Sequence, residues 1–93
     1  MSITRINEFT SAENKDQELF EFLKSLIPYI TSSDGCISCE VLRNLNDNSN
    51  FVVLEKWQSI EFHQKSIEGF PKQDMQSAMS LFGAPPKGGY FDV

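Results

Sequence analysis

Apolar positions along the chain switch between a period of two and a period near 3.6, and the switches mark out the elements. Ser2 to Phe9 mixes β-branched and polar residues and predicts a first strand. Leu19, Phe22, Leu23, Leu26 and Ile30 then recur at helical spacing, with Glu18, Glu21, Lys24 and Ser25 on the opposite side. That pattern predicts one amphipathic helix of about four turns. Thr10-x-x-Glu13 supplies a capping box for its start. Pro28 removes a backbone donor and loosens its last turn.

Ser32 to Gly35 predicts a turn, Cys36 to Arg43 a second strand, and the Asn- and Asp-rich stretch Asn44 to Asn50 a hairpin loop. Phe51 to Gln58 is the third strand. Ser59 is a good N-cap for a helix carrying Ile60, His63, Ile67 and Phe70 on one face, closed by Gly69. Pro71 suits the first position of a further helix, on which Met75, Ala78, Met79 and Phe82 form one apolar stripe before Gly83 and Pro85-Pro86 stop it. Lys87 to Val93 predicts a last strand. The order β-α-β-β-α-α-β is that of a ferredoxin-like split βαβ domain, an α+β fold with a four-stranded antiparallel sheet and helices on one face.

Phe51-Val52-Val53-Leu54 is apolar at every position rather than at alternate ones. Such a strand needs both faces covered, and the chain's own helices can cover only one. The second face therefore predicts a homodimer packed through the sheet. Length points the same way. The 93 residues make one domain, residues 1–93, and a chain this short buries only about 60–65% of its unfolded surface, so it gains much from a partner subunit.

Composition narrows the function classes. The chain is 40% hydrophobic and 23% charged, with eight phenylalanines and one tryptophan, which excludes a disordered chain or a disulfide scaffold. Its net charge of −5, with no cluster of Lys or Arg, argues against nucleic acid and anionic membranes as partners. No apolar run is long enough for a signal core or a membrane span, so the expected location is cytoplasmic. Cys36 and Cys39 form a C-x-x-C pair inside a predicted strand. Residues three apart on a regular strand point to opposite faces, so these thiols are expected to stay apart and to pack rather than to act in redox chemistry or bind zinc. No metal site is expected.

Gly35-Cys36-Ile37-Ser38-Cys39-Glu40-Val41 resembles the second strand of the antibiotic biosynthesis monooxygenase (ABM) family, and Phe51 to Trp57 resembles its third strand, which ends in E-x-W. The helix opening Ser59-Ile60-Glu61-Phe62 follows the same pattern. The resemblance, to small quinol-monooxygenase-like members, implies a dimeric α+β barrel in which two sheets pack face to face. It also implies oxidation of a quinol-like or polycyclic aromatic molecule by dioxygen without metal or flavin. The sequence departs from the pattern at one place: many relatives carry a histidine nine residues after the tryptophan, where this chain has Ser66. Heme-degrading relatives use an asparagine matched here by Asn7, but their helix aromatic and second histidine have no counterpart.

Oxygenation of that kind needs an apolar pocket, a base, and dipoles that stabilise a substrate anion. His63, the only histidine, is the candidate base. Trp57 offers a flat wall and an N–H donor, and Asn7 can bind a substrate oxygen. Met75, Met79, Ser66 and Phe82 are the candidate substrate-contacting residues, the methionines as an adaptable lining. Glu55 shares a strand face with Trp57 and is a second possible base. Tyr90 and Asp92 share a face of the last strand and reach either pocket or interface. For every one of these residues plain packing or solvation is the competing role. A non-catalytic dimeric ligand-binding or stress-response module of the same fold is the alternative to the enzyme.

Overall fold

The computed structural model describes residues 2–93. Its strands are β1 (Ile3–Thr10), β2 (Cys36–Arg43), β3 (Asn50–Trp57) and β4 (Lys87–Phe91); its helices are α1 (Asp16–Ser25), α2 (Ile27–Ser32), α3 (Ile60–Gly69) and α4 (Lys72–Ala78). The sheet order is β2-β3-β1-β4, and every pairing is antiparallel. Each helical connection thus leads to a strand that is not its neighbour, with β3 lying between β1 and β2. This is the ferredoxin-like α+β arrangement expected from the element order.

Phe51, Val53, Glu55 and Trp57 are buried and share one face of β3, as the period of two requires. Leu19 and Leu23 of α1, one turn apart, are fully buried against Phe51 and Val53 and form the core with them. Burying each such side chain is worth about 1.5–3 kcal/mol. On the opposite face Val52 and Leu54 are half-buried, and Ile37, Leu42 and Phe91 are 54%, 45% and 53% exposed. A single copy of the chain therefore covers one face of its sheet and leaves the other apolar and open.

Three local expectations give way to the structure. The helix expected to run unbroken through Ile30 divides at Leu26 into α1 and α2. Pro28 falls in the first turn of α2, where its missing N–H costs nothing; within a continuous helix it would have deleted an internal hydrogen bond. The capping box is not used either. Thr10 still belongs to β1, Asn14 turns the chain with a positive φ of 63°, and α1 opens at Asp16 without a side-chain cap. Ser11, rather than Thr10, contacts the start of the helix, its hydroxyl donating to Asp16 Oδ1 at 3.1 Å. The stripe on α4 is the third. Only Ala78 is buried and Phe82 packs against the core, while Met75 and Met79 are 40% and 60% exposed, and the helix gives way to a 3-10 turn over Met79–Leu81.

The cysteines are a further correction. Cys36 lies opposite Trp57 and Cys39 opposite Glu55, with a β-bulge between Cys36 and Ser38. Trp57 and Glu55 share a face, so the extra residue, Ile37, places both thiols on the same, helix-covered face. Both are free, and burial raises both pKa values, that of Cys39 to about 12, with the nearby Glu55 adding to the effect. Thiols held so far from ionisation are poor nucleophiles and poor metal ligands. Among the described residues no group of three His, Cys, Asp or Glu side chains is placed to hold a metal, and no helix is long and apolar enough to cross a membrane.

Candidate active site

The site is the polar end of the covered sheet face. From β3 it takes Glu55 and Trp57; from β1, Arg5 and Asn7; from β4, Tyr90; and from α3, His63. The register makes this possible, since Arg5 pairs with both Glu55 and Tyr90 and so aligns three strands at one level. α3 is set over them by two local features. Ser59 caps the helix, its hydroxyl accepting from Phe62 N–H at 3.4 Å. Gly35, with φ of +82°, lies so close beneath the Phe62 ring that any Cβ there would collide with it. His63, one position on, then turns inward and is 3% exposed.

Glu55 is 4% exposed and Trp57 fully buried. The indole Nε1–H donates to Glu55 Oε1 at 2.8 Å, and Asn7 Nδ2 donates to Oε2 at 3.4 Å. Arg5 Nε in turn donates to Asn7 Oδ1 at 3.0 Å, which fixes the amide orientation. His63 packs edge-on against both Trp57 and Tyr90, with ring centroids 5.4 Å and 5.3 Å away. Its Nδ1 is 2.7 Å from the Tyr90 hydroxyl, and its Nε2 is 3.8 Å from Glu55 Oε1. No buried side-chain nitrogen or oxygen among the described residues lacks a partner.

Protonation follows from burial. Removal from water, helped by the positive charge of Arg5, lowers the His63 pKa to about 4, so its imidazole is neutral at pH 7. Burial raises the Glu55 pKa, opposed by the Trp57 N–H, the charge of Arg5 and the Asn7 amide. The His63–Glu55 approach is therefore not an ion pair at neutral pH, and 3.8 Å is also too long for a hydrogen bond. With Glu55 ionised, the favoured tautomer carries its proton on Nε2, facing the carboxylate, and leaves Nδ1 to accept from Tyr90 O–H. The result is a cluster in which His63 is hydrogen-bonded to Tyr90 and faces the Glu55 carboxyl without bonding to it, with Trp57 forming one wall.

Of the residues singled out from the sequence, His63, Trp57, Asn7 and Tyr90 come together here, with Glu55 at the centre. The four expected to contact substrate lie elsewhere. Ser66 shares a hydrogen bond with Ser33 at 2.8 Å, and its carbonyl accepts from the Tyr29 hydroxyl at 2.6 Å. Phe82 packs against Phe9 with centroids 5.6 Å apart. Met75 and Met79 point outward. Arg5 and the pairing of Tyr90 with His63 were missed, because both depend on β1–β4 pairing that no local pattern encodes. One surface cleft of about 420 Å³ lies between α1, α2 and α4, lined by Phe22, Tyr29 and Phe70 among others, and another of about 400 Å³ lies between α1 and the β2–β3 loop, lined by Phe20, Arg43 and Phe51 among others. Neither His63 nor Trp57 lines them.

The model of the antibiotic biosynthesis monooxygenase family matches residues 2–69. None of the curated proteins matches the chain in sequence. Among solved structures, a Nitrosomonas europaea protein bearing the same family designation superposes with a TM-score of 0.89 at 14% identity, covering 99% of this chain and 89% of its own. A conserved protein from Methanosarcina mazei gives 0.87 at 20% identity, over 98% and 91% of the two chains. SnoaB, a cofactor-independent oxygenase from Streptomyces nogalater, gives 0.82 at 15% identity, over 99% and 92%. At these identities the superpositions speak for the fold, and the sequence match carries the assignment: the chain belongs to the antibiotic biosynthesis monooxygenase family.

Proposed function

We propose that this chain is a cofactor-independent monooxygenase that uses dioxygen to oxidise an electron-rich aromatic small molecule of the quinol or polycyclic type. The observation that carries this reading is the cluster beside Trp57 of buried His63 and Glu55 with the half-buried Tyr90 hydroxyl on His63 Nδ1. Burying a carboxyl group and a neutral imidazole together costs stability that an apolar core would not lose. The chemistry suits the groups present. A base removes a proton from an activated C–H of the substrate, and the carbanion gives one electron to dioxygen. The resulting radicals join as a peroxide, which loses water to leave a carbonyl, so that CH₂ and O₂ become C=O and H₂O. His63, neutral at pH 7, accepts the proton directly or through Tyr90. SnoaB is a family-fold example of an oxygenase without a cofactor.

The same reading includes a homodimer. The uncovered face bearing Val52, Leu54, Leu42 and Phe91 would be buried against its copy, completing the barrel. Sedimentation at micromolar concentration is expected to give twice the monomer mass, and Leu54→Lys is expected to halve it.

Oxygen uptake with a panel of hydroquinones and anthrones tests the activity. Wild type is expected to turn over at least one, and His63→Gln to lose a hundredfold or more of that rate. One observation favours the second reading, a non-catalytic module: His63 and Trp57 are closed off from solvent, and neither lines either of the two clefts described above. A folded wild type that consumes oxygen with no member of the panel would decide for that module.

A further inference from the structure

Arg5 and Glu55 face each other across the β1–β3 ladder and share the covered face, a placement that ordinarily makes an ion pair. They do not make one: among the described residues no carboxylate oxygen lies within 4.0 Å of an Arg5 nitrogen. Asn7 stands between them, accepting from Arg5 Nε at 3.0 Å and donating to Glu55 at 3.4 Å. The guanidinium is turned instead toward the β4 edge, its central carbon 4.7 Å from the centroid of the Tyr90 ring. There its two terminal nitrogens have no hydrogen bond to any described side chain or carbonyl. Gly88 leaves the space for this, because a Cβ at that position would collide with Arg5 Nη2 and Asn7 Oδ1. β4 is an edge strand, so no further strand covers the pair.

A half-buried arginine fork, held at Nε and stacked on one face but left with its terminal donors free, matches a planar oxyanion. We propose that Arg5 is the oxyanion-binding element of the site and that the ligand is an aromatic acid, a phenolate or an arenecarboxylate. The acid group would sit on Arg5 and the ring beside the Tyr90 hydroxyl, which His63 Nδ1 already contacts. This names the substrate class for the oxygenase reading and rests on that reading for its chemistry, though binding is measured without turnover. The chain's net charge of −5 opposes an anion at long range, so the preference has to come from local contact with Arg5.

Calorimetric titration with salicylate, and with salicylamide as a neutral analogue, tests the inference. Wild type is expected to bind salicylate at least tenfold more tightly than the amide. Arg5→Gln should erase that preference, while Arg5→Lys, which keeps the charge but not the fork, should retain part of it; circular dichroism checks that each variant is folded. Equal affinity of wild type for the two compounds, absence of salicylate binding, or salicylate binding that survives Arg5→Gln would each overturn it. If salicylate binds through Arg5 but nothing is oxidised, the oxygenase reading fails and the anion site stands. If turnover is seen without salicylate binding, the reverse holds.

Discussion

Replacing Trp57 with alanine will lower the unfolding free energy by about 3–5 kcal/mol, the range for truncating a fully buried large aromatic. A domain of this size has only about 5–14 kcal/mol in total, so the variant will lose a large share of its stability. Two losses add. The cavity removes the wall against which His63 packs edge-on, and Glu55 loses its 2.8 Å donor while remaining buried. Trp57→Phe separates the two losses. It keeps most of the packing and removes only the N–H, so about 1–3 kcal/mol is expected. The Glu55 pKa should then rise further, because the indole is the first of the groups holding it down. Urea denaturation followed by circular dichroism measures both variants. A Trp57→Ala protein as stable as wild type would show that the cluster contributes little to the fold.

The second large effect depends on pH. His63 binds its proton less well folded than unfolded, with a folded pKa of about 4 against an ordinary value of 6.5. The unfolded chain thus takes up a proton that the folded chain refuses, and stability falls as pH drops from 6.5 toward 4, by about 3 kcal/mol. Glu55 acts in the opposite sense. Its folded pKa is raised, so the folded state holds a proton that the unfolded chain has released, and its contribution fades as pH rises above 4.5. In wild type the two partly cancel, because a proton lost from imidazole on folding is recovered on carboxyl. Glu55→Gln removes one side of that balance. Its stability is expected to fall by about 3 kcal/mol between pH 6.5 and 4, a steeper drop than that of wild type. The neutral amide keeps an acceptor for the Trp57 N–H, so the fold itself should survive.

Much of this architecture is legible in the residues. β2 begins and ends where the turn at Ser32–Gly35 and the Asn-rich loop place it, and α3 begins at its Ser59 cap. The unbroken apolar run Phe51–Leu54 corresponds to a strand with one face in the core and the other uncovered. What was not legible depends on contacts distant in sequence. The capping motif at Thr10 was outcompeted by β1, which extends to Thr10 to pair with Asn50. The bulge at Ile37 inverts the expected facing of Cys36 and Cys39, and it arises only in register with β3. Met75 and Met79 kept helical spacing but not burial, since spacing shows that residues share a helix face and not whether another element covers that face.

The site divides the same way. His63, Trp57 and Asn7 stand out as individual residues, and Glu55 follows from sharing a face with Trp57. Tyr90 and Arg5 acquire meaning only when β4 pairs with β1 and sets the phenol 2.7 Å from the imidazole. A period of two tells which residues share a face of a strand. It does not tell which strands are neighbours, and the Tyr90–His63–Glu55 cluster crosses three elements.

A neutral His63, hydrogen-bonded to Tyr90 and facing the buried Glu55 carboxyl, is open to one direct measurement. The chain has a single histidine, so nitrogen-15 NMR of the imidazole reads it without assignment. Followed from pH 8 to pH 3.5, the ring is expected to stay neutral through pH 6, with one tautomer protonated at Nε2, and to titrate with a midpoint near 4. A midpoint at or above 6.5, or two tautomers in free exchange at pH 7, would contradict the account.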